Sequence, residues 1–192
     1  MARRPRNLYE GIYHLAARGS DTRQLFVRDE DREEFLERLA AIWEHFELAL
    51  LSYVLMGTHY HALVRIPDAR LSRALQHLHT EYSRWHNRRH RRGAHLFRAH
   101  AMTKEIASDR QLVAACRYLA LNPVEAGLVD DPLDWPWSSA RAHADSSSPG
   151  SRWPRVTSAR PSVTPTTGAS AIAARSTADV PKSCQSRTFR AR

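Results

Sequence analysis

Residues 50–67 read LLSYVLMGTHYHALVRIP, an apolar run broken near its middle by His59-Tyr60-His61. The β-branched and aromatic residues on either side of Gly57-Thr58 predict two strands, Leu48–Met56 and His59–Ile66, paired as antiparallel neighbours or as one long bent pair. Pro67-Asp68 closes the second run. Side chains alternate across a strand, so His59 and His61 project from one face and Tyr60 from the other.

The flanking segments supply what such a pair of strands needs to form a core. Gly11–Arg18 alternates like a strand, and Gly19-Ser20-Asp21 follows with turn residues. Residues 29–46, DEDREEFLERLAAIWEHF, set Phe35, Leu36, Leu39, Ile42, Trp43 and Phe46 at helical spacings, with acids in the first turn where the helix dipole favours them. Ala69–His90 repeats the pattern with Leu71, Leu75, Leu78, Tyr82 and Trp85, and Gly93 is its expected stop. Phe97–Ile106 holds a short fourth strand. Ser108-Asp109 caps a helix over 109–121 that Asn122-Pro123 should halt. The order β-α-β-β-α-β-α is that of a split βαβ, ferredoxin-like α+β fold, an antiparallel sheet with helices packed on one face.

Composition narrows the classes of function. At 192 residues the chain can bury one ordinary core. No apolar stretch is long enough for a bilayer, and MARRPRNLYEG has charge without the apolar segment of a secretory signal, so a cytoplasmic protein with no membrane partner is expected. Cys116 and Cys184 are too few and too far apart for a disulfide framework or a cysteine metal cage. The net charge of +9 is concentrated late in the chain: residues 146–192 hold 8 basic residues and one acid, leaving 21 basic against 19 acidic before them. The division expected is a folded domain over 1–144 and a disordered basic tail rich in Ser, Pro and Arg over 145–192. Such a tail is either an arm that tracks phosphates or an extension without a selected role.

Two imidazoles one residue apart on a strand can share a divalent ion, although the spacing alone is a weak motif in a chain with 11 histidines. In AACRYLALNP, Tyr118 and Asn122 are four apart and share a helical face. A tyrosine hydroxyl is a poor nucleophile at neutral pH, so a phosphate ester formed through Tyr118 would need a metal on the phosphoryl oxygens, with the Asn122 amide oxygen completing its sphere. The plainer alternative makes Tyr118 a core aromatic and Asn-Pro an ordinary helix stop.

Four blocks, MGTHYHALV, HNRRHRRGAHLF, RYLALNPVEAGLV and DPLDWPWSS, together resemble the single-tyrosine HUH transposases, in particular the REP-associated tyrosine transposases and their insertion-sequence relatives, over residues 8–143. The resemblance implies a ferredoxin-like endonuclease and strand-transferase. It would bind single-stranded DNA folded into hairpins, cut one strand through a 5′-phosphotyrosine link, free a 3′-hydroxyl and rejoin the ends. It assigns His59 and His61 to the metal, Tyr118 to the nucleophile, Asn122 to the polar metal ligand, and Mg²⁺ or Mn²⁺ as the ion. Some relatives act as dimers, so a homodimer is among the partners it implies. The chain differs from its relatives at Gly57-Thr58, where Pro-Asn is common, at Ala94, where Gly is common, and at Arg98-Ala99-His100-Ala101, where Gln-Gly-Arg and an aromatic are usual.

Arg84, Arg88, Arg89, Arg91, Arg92 and Arg98, with His95 and Trp85 as stacking faces, form the expected DNA-binding patch. Five arginines within residues 84–92 exceed what a helix C-terminus needs to offset its dipole. Arg3, Arg4 and Arg6 offer a second basic arm at the amino end. Two other readings of the same residues stay open: a catalytically inactive protein that binds structured DNA, and a hydrolase in which His59 and His61 activate water while Tyr118 merely packs.

Overall fold

A computed structural model describes residues 8–20, 23–93, 95–98 and 101–145, all within the first of the chain's two units, Met1–Ala159. Of the expected tail over 145–192 all but Asp145 lies outside the described residues, as do Arg3, Arg4, Arg6, Ala94, Ala99 and His100. The expected element order is present: β1 (Gly11–Arg18), α1 (Asp29–His45), β2 (Ala49–Leu55), β3 (His59–Ile66), α2 (Leu71–Arg89), β4 (Met102–Ile106) and α3 (Asp109–Glu125). A 3₁₀ turn at Pro132–Asp134 and a short helix α4 (Ala140–Ala144) follow. The strands form one sheet in the order β2-β3-β1-β4, every neighbour antiparallel, which is the split βαβ arrangement.

The period of two along β3 sorts its side chains. Tyr60, Ala62, Val64 and Ile66 are buried in the larger core with Tyr13, Leu15 and Ala17 of β1, under Phe35, Leu36 and Leu39 of α1 and Leu71, Leu78 and Tyr82 of α2. The rings of Phe26, Phe35, Tyr60 and Tyr82 pack at centroid separations of 4.8 to 5.9 Å, in the tilted and edge-on geometries that aromatic quadrupoles favour. The Tyr82 hydroxyl donates to the Leu25 carbonyl at 2.6 Å, so this ring does not strand its polar group in the core.

The opposite face is not left to solvent. Leu51, Val54, Met56 and Leu63 form a second core with Leu119, and Leu112, Ala115 and Cys116 pack against it. The expectation of helices on one face therefore describes α1 and α2, whereas α3 lies on the other. The reason is in the strands: β2 is buried along nearly its whole length, so apolar residues on both faces need a cover.

The segment DPLDWPWSS covers the free edge of β2. Leu55 N donates to Trp137 O at 2.8 Å, Ser139 N to Tyr53 O at 3.0 Å, and the Trp135 indole Nε1 to Leu55 O at 3.1 Å. An edge strand with its backbone groups occupied cannot recruit a second sheet. At the other side of the sheet β4 is largely exposed.

Two helix ends differ from expectation. Helix α3 does not stop at Asn122-Pro123 but continues to Glu125 with Pro123 inside it. Proline near the end sacrifices only the bond its missing N–H would have given to Leu119, and Pro123 is itself buried. The α3 terminus is closed by Leu128 N donating to Pro123 O and Gly127 N to Val124 O, both at 2.9 Å, with Gly127 at φ +67°. Helix α2 ends before Gly93: Arg91 takes the left-handed turn at φ 49°, and Arg92 N reaches Asn87 O at 2.9 Å.

Gly127→Ala should cost about 1 kcal/mol in urea denaturation, because a Cβ in the left-handed region meets the adjoining carbonyl. A second prediction concerns acid. His79 stacks on Phe97 at 4.0 Å and shares a 2.8 Å hydrogen bond with the Tyr60 hydroxyl, and burial pushes its pKa down to about 4. Between pH 6.5 and 4 the unfolded chain takes up a proton that the folded imidazole refuses, so stability falls with falling pH, by roughly 3 kcal/mol in total. The loss from pH 7 to pH 4.5, read from urea midpoints, should be smaller in His79→Gln.

Candidate active site

Antiparallel register places the functional side chains. His61 faces Ala16 on β1 and Val54 on β2, and His59 faces Arg18. The face that carries His59 and His61 therefore also carries His14, Ala16 and Arg18. His14 is diagonal to His61, and its Nε2 lies 3.1 Å from His61 Nδ1 in a hydrogen bond. Ala16, directly opposite His61 and next to His14 on the same face, leaves room for this approach.

Helix α3 crosses the same face. Leu112, Ala115, Cys116 and Leu119 point to the sheet, and the next turn on that stripe is Asn122, which is buried. Tyr118 stands one position off the stripe, at its edge. Its ring lies edge-on to His61 at 5.6 Å between centroids and to His14 at 6.1 Å, yet it is 43 % exposed. The plainer alternative of a core aromatic is thus not what the structure shows. His59 and His61 are 5.1 Å apart, ring to ring. Asn122 hydrogen-bonds the His59 side chain, and Thr58 Oγ1 lies 3.2 Å from His59 Nδ1.

Burial sets the charge state. It pushes the His61 imidazole down to about 3, with the neighbouring His14 and His59 adding to the shift. Burial and the Arg18 guanidinium lower His59, against the raising effect of Asn122. Burial and the Lys104 ammonium lower His14. All three imidazoles are therefore neutral at neutral pH, the form that coordinates a metal. Two neutral imidazoles with an amide oxygen beside them are a donor set that fits a divalent ion of the Mg²⁺ or Mn²⁺ type or a first-row relative.

The four residues expected at the chemical centre, His59, His61, Tyr118 and Asn122, are brought together. The expected DNA contacts, Arg84, Arg88, Arg89, Arg91, Arg92, His95 and Arg98, are all exposed. Some of them have partners: Arg84 pairs with Glu81 at 3.0 Å, and Arg89 lies over the Trp85 ring at 5.7 Å. Arg98 N donates to Arg18 O at 2.8 Å, which ties this end of the patch to the strand that flanks His59. Three residues at the site were not singled out from the sequence: His14, Arg18 and Lys104, the last opposite His14 across the β1–β4 pair. The signal for His14 and Arg18 was present in β1, where alternation puts them opposite the apolar Tyr13, Leu15 and Ala17. Among the described residues no helix is long and apolar enough to cross a membrane.

Comparison with known proteins bears on this geometry. The family model described as "Transposase IS200 like" matches residues 7–119. A solved REP-associated tyrosine transposase, bound in its structure to a REP hairpin, shares the fold with a TM-score of 0.64 and 14% identity, over 75% of this chain and 85% of that one. A Deinococcus radiodurans R1 protein catalogued as a transposase overlaps more loosely, with a TM-score of 0.44 and 18% identity over 62% of this chain and 95% of its own. No curated protein matches the chain. Because the family model spans more than half of its length, with both histidines of β3 and Tyr118 inside the match, the chain belongs to the IS200-like transposase family.

Proposed function

We propose that this transposase is an endonuclease and strand-transferase for single-stranded DNA, acting on hairpin-forming ends through a 5′-phosphotyrosine link at Tyr118. One observation carries the reading. A half-exposed tyrosine stands against two half-buried neutral imidazoles, with an amide within hydrogen-bonding reach of a third, although the residues come from three separate elements. The likeness in fold to a transposase solved with a REP hairpin makes a DNA hairpin the substrate to test first.

In the proposed step Tyr118 Oη bonds to the phosphorus of the scissile phosphodiester while the bond to the 3′ oxygen breaks. The 3′ oxygen takes a proton from solvent and departs as a hydroxyl while the tyrosine gives its proton to solvent, so the transfer is neutral in protons. The ester is conserved rather than hydrolysed, so attack by another 3′-hydroxyl reverses the step and joins a new end. A Mg²⁺ or Mn²⁺ ion held by His59, His61 and Asn122 would supply positive charge to the phosphoryl oxygens. His14 would orient His61: with Nδ1 engaged by His14, Nε2 is the nitrogen left for an ion. Thr58 acts likewise on His59. Arg18 and Lys104 flank the imidazoles with fixed cations, and the exposed arginines after residue 84 neutralise the phosphates of a stem or loop.

Incubating the full chain with a hairpin oligonucleotide carrying a 5′ single-stranded extension and Mn²⁺ should yield a protein–DNA adduct that survives denaturation. Tyr118→Phe should abolish the adduct and leave hairpin affinity within about twofold. Cleavage to free 5′-phosphate ends without adduct would replace this reading with water activation. Hairpin binding without cleavage by folded wild type would leave only a DNA-binding protein. His14→Ala, assayed by Mn²⁺ titration, should weaken the ion roughly 10–100-fold, as loss of an orienting partner does at other imidazole sites.

A further inference from the structure

Away from the sheet face that carries Tyr118, the first turn of α1 meets the last turn of α2. Asp31, His86 and His90 converge there, each offering one ligand atom, with all three atoms within 4.8 Å of one another. Asp31 and His86 are 0 % exposed. His90 is nearly buried, its side chain 14 % exposed.

Asp31 is well explained. Its Oδ2 accepts from Val27 N at 2.8 Å and Arg28 N at 2.9 Å, closing the start of α1, and its Oδ1 lies 2.9 Å from His90 Nε2. His86 is not explained in this way. Both of its ring nitrogens are buried and neither has a hydrogen-bond partner. A buried imidazole without partners is destabilising, and a phenyl ring would fill the same space without that cost. Its ring sits 4.3 Å from that of His90, one helical turn on, so both imidazoles lie on one side of α2 against Asp31.

We propose that Asp31, His86 and His90 bind a divalent transition-metal ion, zinc by preference, as a clamp between α1 and α2. The donor set of two imidazoles and one carboxylate suits zinc and its first-row neighbours rather than magnesium. Asp31 Oδ1 and His90 Nε2 already stand near the separation of two ligands on a tetrahedral ion, and a modest rotation brings a His86 nitrogen into range. The exposed edge of His90 admits water as the fourth ligand. Asp31 keeps its backbone donors on Oδ2 while Oδ1 turns to the ion. The clamp would fix the end of α2 immediately before the left-handed turn at Arg91, and so the bearing of Arg88, Arg91 and Arg92.

The test uses the full chain in a His59→Ala/His61→Ala background, which removes the candidate catalytic ligands and isolates this site. Metal-stripped protein is titrated with Zn²⁺, followed by elemental analysis after gel filtration, and with Co²⁺, followed by visible absorption. The expected result is close to one retained ion per chain, a tetrahedral cobalt spectrum and a melting temperature raised by Zn²⁺. Adding His86→Phe should abolish all three while the metal-free protein melts at or above its parent. His90→Gln is the second variant, and it too should lose the ion. No retained ion in the parent, or an ion and melting shift unchanged by His86→Phe and His90→Gln, overturns the proposal and leaves His86 with a buried water or as an unsatisfied core histidine.

Discussion

The strand β3 has to satisfy two faces at once, and the rest of the molecule follows from that. Tyr60, Ala62, Val64 and Ile66 are each no more than 1 % exposed, so the larger core fixes which way every residue of the strand points. A slip of one residue would drive both imidazoles under α1 and α2 and expose four core side chains, a loss no local contact at the site could offset. The register that aligns His61 with Ala16 and Val54 is thus enforced from the side of the sheet that has no chemistry. Burial is then the largest influence lowering the imidazole pKa values, with the neighbouring Arg18, Lys104 and imidazoles adding to it.

What the sequence made legible were the features set by neighbours along the chain. Strands β1 and β3 and helix α1 were readable from period and from the Gly57-Thr58 break, because a single strand or helix face is written in a few consecutive residues. Tyr118 and Asn122 could be placed on one helical face for the same reason. That this face lies over His59 and His61 depended on pairing and packing across the fold, which no local pattern encodes. His14 is the clearest case. It sits in an unremarkable strand, and it matters only because β1 pairs with β3 in a register that brings it diagonal to His61. The end of α3 was misplaced because Pro is disruptive on average, yet here Pro123 is buried and the hydrogen-bonded turn at Gly127 compensates for the single bond it removes.

The departures from the usual family residues look different in this light. Gly57 O accepts from Leu25 N and Phe26 N, at 2.9 and 3.1 Å, and Thr58 O accepts from Gly19 N at 2.9 Å. These bonds use backbone carbonyls, which are indifferent to the side chain that sits there. The one side-chain role in the pair falls to Thr58, whose hydroxyl meets His59 Nδ1. Gly19 is a tighter constraint than either, since a Cβ there would come within 2.2 Å of the Arg23 carbonyl oxygen. The turn that presents His59 is therefore held by main chain and by one glycine just past the neighbouring strand, so replacing its side chains need not move the imidazole.

The basic turn after α2 admits a similar argument. Arg91 holds a left-handed conformation that costs a non-glycine residue about 1 kcal/mol, and the bonds from Arg91 N to Arg88 O and Arg92 N to Asn87 O keep it there. A flexible arm of arginines would have to be ordered by each phosphate it met, at a loss of side-chain and backbone entropy on binding. Here the backbone is already set by the helix end. Arg89 is further held over the Trp85 ring and near Asp31. For the proposed DNA contact, a backbone set in advance would suit a ligand of defined shape, such as a folded stem, better than an extended strand, because it gains only where the spacing of the phosphates matches its own.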